Sequence, residues 1–255
     1  MELLLGFLIA ALIAMTGVGA GTVTAPLLIL FLGVPVPEAV GTALAYSAAV
    51  KLLVVPVQIA RKNVMWRTLG VMLATGIPGV VLGSILFRRV VAEHQNTLWL
   101  YLALGTMIAF SSGWHIYRHF RPAKTLSSER RNKFGWLAAL MLPVGAEVGF
   151  SSSGAGALGT LSLMGLTNLD APRIVGTDLA FGLCLSLLGG GMHLGYGGLN
   201  GGLLTQLIIG GVFGALVGTG IASKVPPRAM RLALSLWLLV LGVQIFWHAI
   251  MHPGI

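Results

Sequence analysis

The sequence predicts an all-α polytopic membrane protein made of two inverted five-segment repeats, with glycine-broken short helices meeting near the midplane. Three observations carry that expectation. First, 56% of the 255 residues are apolar and only 9% charged, where soluble domains carry roughly a quarter charged residues. Second, residues 3–37, 68–87, 95–117, 148–169 and 179–223 hold no charged side chain, and a spanning helix needs about 20 apolar residues. Third, the chain writes one stretch twice. Residues 16–42, TGVGAGTVTAPLLILFLGVPVPEAVGT, fall on 151–177, SSSGAGALGTLSLMGLTNLDAPRIVGT, after a shift of 135 positions. Gly19-Ala20-Gly21 lands on Gly154-Ala155-Gly156, Pro37 on Pro172, and Val40-Gly41-Thr42 on Val175-Gly176-Thr177. The register holds as far as Gly76, Gly79 and Gly83, which meet Gly211, Gly214 and Gly218.

Taken in order, helical segments are expected at 3–16 and 22–32, on either side of the first glycine break, then at 38–60, 68–87 and 97–117. The second copy repeats them at 134–149 and 156–166, then 171–194, 203–222 and 229–250. The chain thus divides into an N-terminal repeat (1–117), a basic connector (118–133) and an inverted C-terminal repeat (134–255). The N-terminus MELLLGFLIAALIAM resembles a signal-peptide core, but Glu2 stands where a basic residue belongs, so a retained first helix is expected. At about 1.5 Å per residue, the segments beside each break cover about half of a 30 Å hydrocarbon core. Each pair is either a re-entrant hairpin or two steeply tilted short spans. Both options give an odd number of crossings per copy, so the second copy must lie upside down.

The net charge of +9 could suggest a nucleic-acid partner, but the basic residues sit in short connectors. Thirteen of the sixteen fall into four of them: Arg61, Lys62 and Arg67; Arg118, Arg121, Lys124, Arg130, Arg131 and Lys133; Arg173; and Lys224, Arg228 and Arg231. Placing these four on the cytoplasmic side, as the positive-inside rule requires, puts both termini outside and the connector 118–133 in the cytoplasm. The expected location is the inner cell membrane, multi-pass, with no nucleic-acid partner. The single Cys184 excludes an internal disulfide or a CxxC redox pair. Trp66, Trp99, Trp114, Trp136, Trp237 and Trp247 fall near expected helix ends and read as interface anchors.

Irregular backbone at membrane depth is tolerated only where protein buries it or a cavity wets it. Paired, glycine-interrupted short segments in two repeats are the best sequence pointer to a transporter's binding site. Helices starting near Gly21 and Gly156 would aim free N–H groups and positive dipole ends at an anion. Gly19, Gly21, Gly154 and Gly156 permit close approach, and Thr22, Thr24, Ser151, Ser152, Ser153 and Thr160 supply hydroxyl donors. Close helix packing is the competing use of such small residues, and it is the expected one for Gly79, Gly83, Gly214 and Gly218. Gly41-Thr42 and Gly176-Thr177 fit either role, so Thr42 and Thr177 stand among the candidate substrate contacts.

Ionisable residues inside spans are costly and point to function. Lys51, Glu147 and Asp178 are the coupling or charge candidates. Glu147, about two turns before Gly154, is placed to carry a proton or to pair with Lys51. Asp178 is expected near the cytoplasmic interface, partnered by Arg173 or a loop amide, and His193 at the outer end of its helix. No metal, cofactor or catalytic residue is expected. The partners are a small anion, protons if transport is coupled, and the bilayer; a homodimer stays open.

The stretch TGVGAGTVTAPLLILFLGVPVPEAVGTALAYS resembles the N-terminal signature of the TauE/SafE family of sulfite-exporter-like membrane proteins. It matches at Gly17, Gly19, Gly21, Pro26-Leu27-Leu28, Gly33-Val34-Pro35 and Ala39-Val40-Gly41-Thr42, and the likeness continues through the second copy. The resemblance implies export of sulfite or an organosulfonate-type anion. Many members carry three consecutive glycines at the first break, where this chain has Gly19-Ala20-Gly21, and the second break here is rich in serine. A secondary transporter working by alternating access is therefore the leading reading. An anion channel is the alternative, and a Ser/His hydrolase using Ser151-Ser152-Ser153-Gly154 and His193 is disfavoured by the absence of a GxSG box.

Overall fold

Ten α-helices follow one another in a computed structural model that describes residues 2–16, 20–93, 98–120, 133–152, 158–196, 198–222 and 227–251. They are α1 (Glu2–Thr16), α2 (Ala20–Leu32), α3 (Val36–Ala60), α4 (Trp66–Glu93), α5 (Leu98–Phe120), α6 (Phe134–Ser151), α7 (Leu158–Leu166), α8 (Ala171–Gly195), α9 (Gly201–Ala222) and α10 (Pro227–Met251). Among the described residues, α3, α4, α6, α8 and α9 are long and apolar enough to cross a membrane. Large apolar side chains such as Leu53, Phe110, Phe213 and Leu216 face outward, the surface a bilayer covers.

Local chemistry sets the ends. α2 stops because Gly33 adopts φ +63°, the left-handed glycine termination common at helix ends, and Val34 N–H returns to Leu28 O at 3.2 Å. Pro35 then precedes α3 and Pro37 sits in its first turn, where a missing N–H costs nothing.

The most extensive packing runs between the first and second halves of the chain. α1 lies along α9, α4 along α6, α5 along α10, and α3 against α8. Gly79 and Gly83 of α4 rest on Leu142 and Ala146 of α6 so closely that a Cβ would strike their carbonyls. Gly210 and Gly214 of α9 rest in the same way on Leu3 and Phe7 of α1. Gly79 and Gly214 are 135 positions apart, and so are Phe7 and Leu142. The same shift turns the contact of Gly76 with the Phe181 ring into that of Gly211 with the Tyr46 ring. Tyr46 also donates to Gly6 O at 2.7 Å, pinning α3 to α1. Small residues let these backbones approach, which is what drives helix association in lipid.

Three expectations need correction. α6 is not a half-span: its 18 residues reach about 27 Å. It runs on because Gly145 and Gly149 pack on the backbone of α4 at Gly76 and Val80, and it ends only where Ser152 turns left-handed at φ +63°. Its partner α7 has 9 residues, and Lys133 N–H donates to Leu166 O at 3.0 Å, so the α6–α7 hairpin begins and ends together. α5 continues to Phe120 and absorbs Arg118 from the expected connector. Trp237 lies in the middle of α10, not near an end.

Candidate functional site

The two breaks meet. Gly21, in the first turn of α2, rests on Ser152 at the end of α6, and a Cβ there would collide with the Ser152 carbonyl and hydroxyl oxygens. Ser152 is held in place from three directions. Its own N–H donates to Val148 O at 2.9 Å. One residue further on, the Gly149 carbonyl accepts from His193 Nε2 of α8 at 2.9 Å and from Ser84 Oγ of α4 at 3.3 Å. Phe87 packs on the His193 ring at 4.8 Å and on Phe150 at 5.6 Å. The last carbonyls of a helix lack internal partners, so α8 and α4 complete the end of α6.

Ser152 Oγ is left over. The residue is 5% exposed, and among the described residues its hydroxyl has no hydrogen-bond partner. Buried polar atoms in native proteins are paired in the large majority. This one stands at the first turn of α2, whose leading N–H groups have no acceptor within their own helix. A hydroxyl beside backbone N–H groups at a positive dipole end is chemistry suited to an anion.

The second break differs. Asp178 of α8 lies against Gly159 in the first turn of α7 and accepts from Thr160 Oγ1 at 2.8 Å. Of the partners expected for Asp178, Arg173 or a loop amide, Arg173 is not the one taken. Asp178 is 3% exposed, and Arg173 pairs instead with Asp170 at the surface, at 3.4 Å. A glycine at 159 leaves room for a carboxylate, and the helix dipole favours one there. At the matching positions of the first copy stand Ala43 and Thr24, so α2 has no such carboxylate built into its first turn.

The remaining candidates are distributed as follows. Thr42 Oγ1 accepts from Asn200 N–H at 3.3 Å and Thr177 Oγ1 from Met65 N–H at 3.0 Å. Gly41 and Gly176 back onto the carbonyls of Gly198 and Asn63. Both Gly-Thr pairs therefore hold the chain entering α9 and α4. Ser151 spends its hydroxyl on Glu147 O within α6 at 2.9 Å, and Thr24 is fully buried in α2. Lys51 donates to Ser186 Oγ at 3.1 Å in place of the expected Glu147 pair. Glu147 lines a groove of about 660 Å³ between α4, α5 and α6, with Trp99, Thr106, Pro143 and Phe150. Gly19, Ser153, Gly154, Gly156 and the side chain of Thr22 lie outside the described residues.

His193 lies in the last turn of α8, at the helix end where it was expected, and is 1% exposed. A single ring N–H tied to a buried carbonyl is what draws it inward. A signal was present: His193 stands 135 positions after Gln58, so both copies hold a polar residue there inside an apolar helix. Ser84 was missed because a lone serine among small packing residues carries no mark of its own.

A multi-pass helical chain whose interrupted helices meet in its interior is built as a membrane transporter. The chain belongs to the sulfite exporter TauE/SafE family, whose model matches residues 2–245. It is 28% identical over 249 residues to YjnA of Bacillus subtilis (strain 168), described as a probable membrane transporter protein, covering 95% of this chain and 98% of that one. No solved structure matches it.

Proposed function

We propose that this chain exports a small anion, sulfite or an organosulfonate, by alternating access of two inverted five-helix halves. The observation that carries the reading is the buried Ser152 hydroxyl, without a hydrogen-bond partner among the described residues, against Gly21 at the start of α2. The seat is one-sided: α2 offers an open first turn, while Asp178 already sits at that of α7. Thr42 and Thr177 stay in the proposed set: each hydroxyl oxygen accepts from a loop amide, and its O–H can still donate to an anion.

Inversion is supported by reciprocal contacts. Met65 bonds Thr177 and Asn200 bonds Thr42, each pair being the other moved by 135 positions in opposite senses, which is how a two-fold relates two copies. The hairpin closed by Lys133 and Leu166 returns the chain to the side it left and keeps the crossing number odd. With the basic connectors inside, both termini face outward from the inner membrane. The inside-negative potential then drives an anion out by about 2.3 kcal/mol per charge per 100 mV, so export needs no coupling ion. Glu147 is the residue we assign to proton coupling if the flux proves pH-dependent.

Sulfite efflux from proteoliposomes tests the function. Saturable efflux, accelerated by sulfite on the opposite side, is the expected result. Non-saturating conductance without exchange would point to a channel, and the absence of flux for sulfite and for simple sulfonates would defeat the substrate assignment.

A further inference from the structure

Lys51 is the basic side chain inside an expected span that the seat at Gly21 and Ser152 leaves unused. It lies in α3, 3% exposed, and donates to Ser186 Oγ of α8 at 3.1 Å. Ser186 Oγ in turn shares a hydrogen bond with Ser47 Oγ of α3, also at 3.1 Å, and both serines are 2% exposed or less. An ammonium carries three N–H donors, and Ser186 receives one of them. The Asp178 carboxylate attracts the cation through space, while its direct partner is an uncharged hydroxyl.

The position of this cluster is unusual. Ser186 stands 135 positions after Lys51, so the two residues are counterparts in the two copies. Counterparts touch each other only on the two-fold that relates them. If the copies are inverted, that axis lies in the membrane plane, and the cation sits at mid-depth. The copies break their likeness at this point: one supplies lysine, the other serine, and two ammonium groups in hydrogen-bond contact would repel. With Asp178 acting only through space and one N–H spent on Ser186, the ammonium at this costly depth keeps donors to offer an anionic occupant.

We infer that Lys51, with the Ser47 and Ser186 hydroxyls, forms a second anion seat on the α3–α8 axis, where the ammonium neutralises the transported oxyanion at mid-membrane. The inference rests on the anion-export reading but uses none of the residues of the seat at Gly21 and Ser152. In this structure the cluster is shielded from both faces, as a seat between two openings must be. The close approach of α8 to α3 at Gly190 and Ala45 gives the two helices a small-residue contact along which to part.

The test uses the full chain in nanodiscs, with sulfite as the probe, reading affinity by calorimetry and melting temperature with and without ligand. Lys51→Met should bind sulfite at least about tenfold more weakly, since a hydrogen bond to charge is lost. Its melting temperature without sulfite should change little, since the direct partners it gives up are uncharged hydroxyls. Wild-type sulfite affinity in Lys51→Met overturns the inference, and a lowered melting temperature with affinity retained marks Lys51 as structural. Should Lys51→Met fail to fold, Ser47→Ala and Ser186→Ala keep the cation, and unchanged affinity in both overturns it equally. Gly21→Leu separates the two readings: binding lost there but kept in Lys51→Met removes the second seat alone. A wild type that binds neither sulfite nor methanesulfonate removes both.

Discussion

Gly21 of α2 rests directly on Ser152 of α6, close enough that no methyl group fits between them. Two segments far apart in sequence thereby share one backbone contact at the centre of the proposed seat.

The smallest substitution should already disturb that contact. Gly21→Ala is expected to lower sulfite efflux at least about tenfold, because overpacking at a rigid site costs about 1–3 kcal/mol. Flux in proteoliposomes, normalised to folded protein by size exclusion, is the measurement. Full flux in Gly21→Ala would show that the α2–α6 contact is not part of the path.

Ser152 separates backbone from hydroxyl. Its left-handed conformation (φ +63°) suits glycine, and an L side chain there costs about 1–2 kcal/mol. Ser152→Gly should therefore melt at or above the wild-type temperature, whereas Ser152→Ala keeps the strain. Both variants lose the free hydroxyl and should bind sulfite about fivefold more weakly, the worth of one ordinary hydrogen bond. Wild-type affinity in both would remove Ser152 from the seat.

The end of α6 depends on His193. Replacing it with Ala removes one donor from the Gly149 carbonyl and leaves that of Ser84, a loss of about 0.5–1.5 kcal/mol for one hydrogen bond. His193→Gln, which can still donate an N–H, should recover part of it. Hydrogen exchange at 148–152 is the direct readout, with faster exchange in His193→Ala than in His193→Gln. Equal exchange in both would show that the histidine does not hold the helix end.

Thr160 and Asp178 should behave as one unit. Thr160→Val loses the 2.8 Å bond and Asp178→Asn the charge on its acceptor, and hydrogen bonds to charged groups contribute about 1.5–3 kcal/mol. The double variant should cost clearly less than the two single losses added together. Additive losses in thermal melts would mean that the carboxylate is held by something other than Thr160.

The helical order, the glycine faces and the place of the breaks were legible in the sequence because each leaves a periodic or repeated mark. Gly79, Gly83 and Gly214 do pack where their spacing predicts. The partners of Asp178, His193 and Lys51 were not legible for a shared reason. Sequence gives a residue's height along its helix, but the face it presents depends on how that helix is rotated against its neighbours. Asp178 and Thr160 come from different helices, as do His193 and Gly149, and no local pattern announces such a pairing. In the sequence α6 reads as a half-span because it precedes the glycine break, while Gly145 and Gly149 form the surface that seats its whole length on α4.

The crossing of α1 onto α9 and of α4 onto α6 has a consequence for synthesis. α1 leaves the ribosome early and has no finished surface to join until α9 has been made. During that interval its glycine-matched face must be shielded by lipid or by the insertion machinery. A chain split within the connector 121–132 should accordingly yield two unstable fragments when each is made alone, and a working pair when both are translated together.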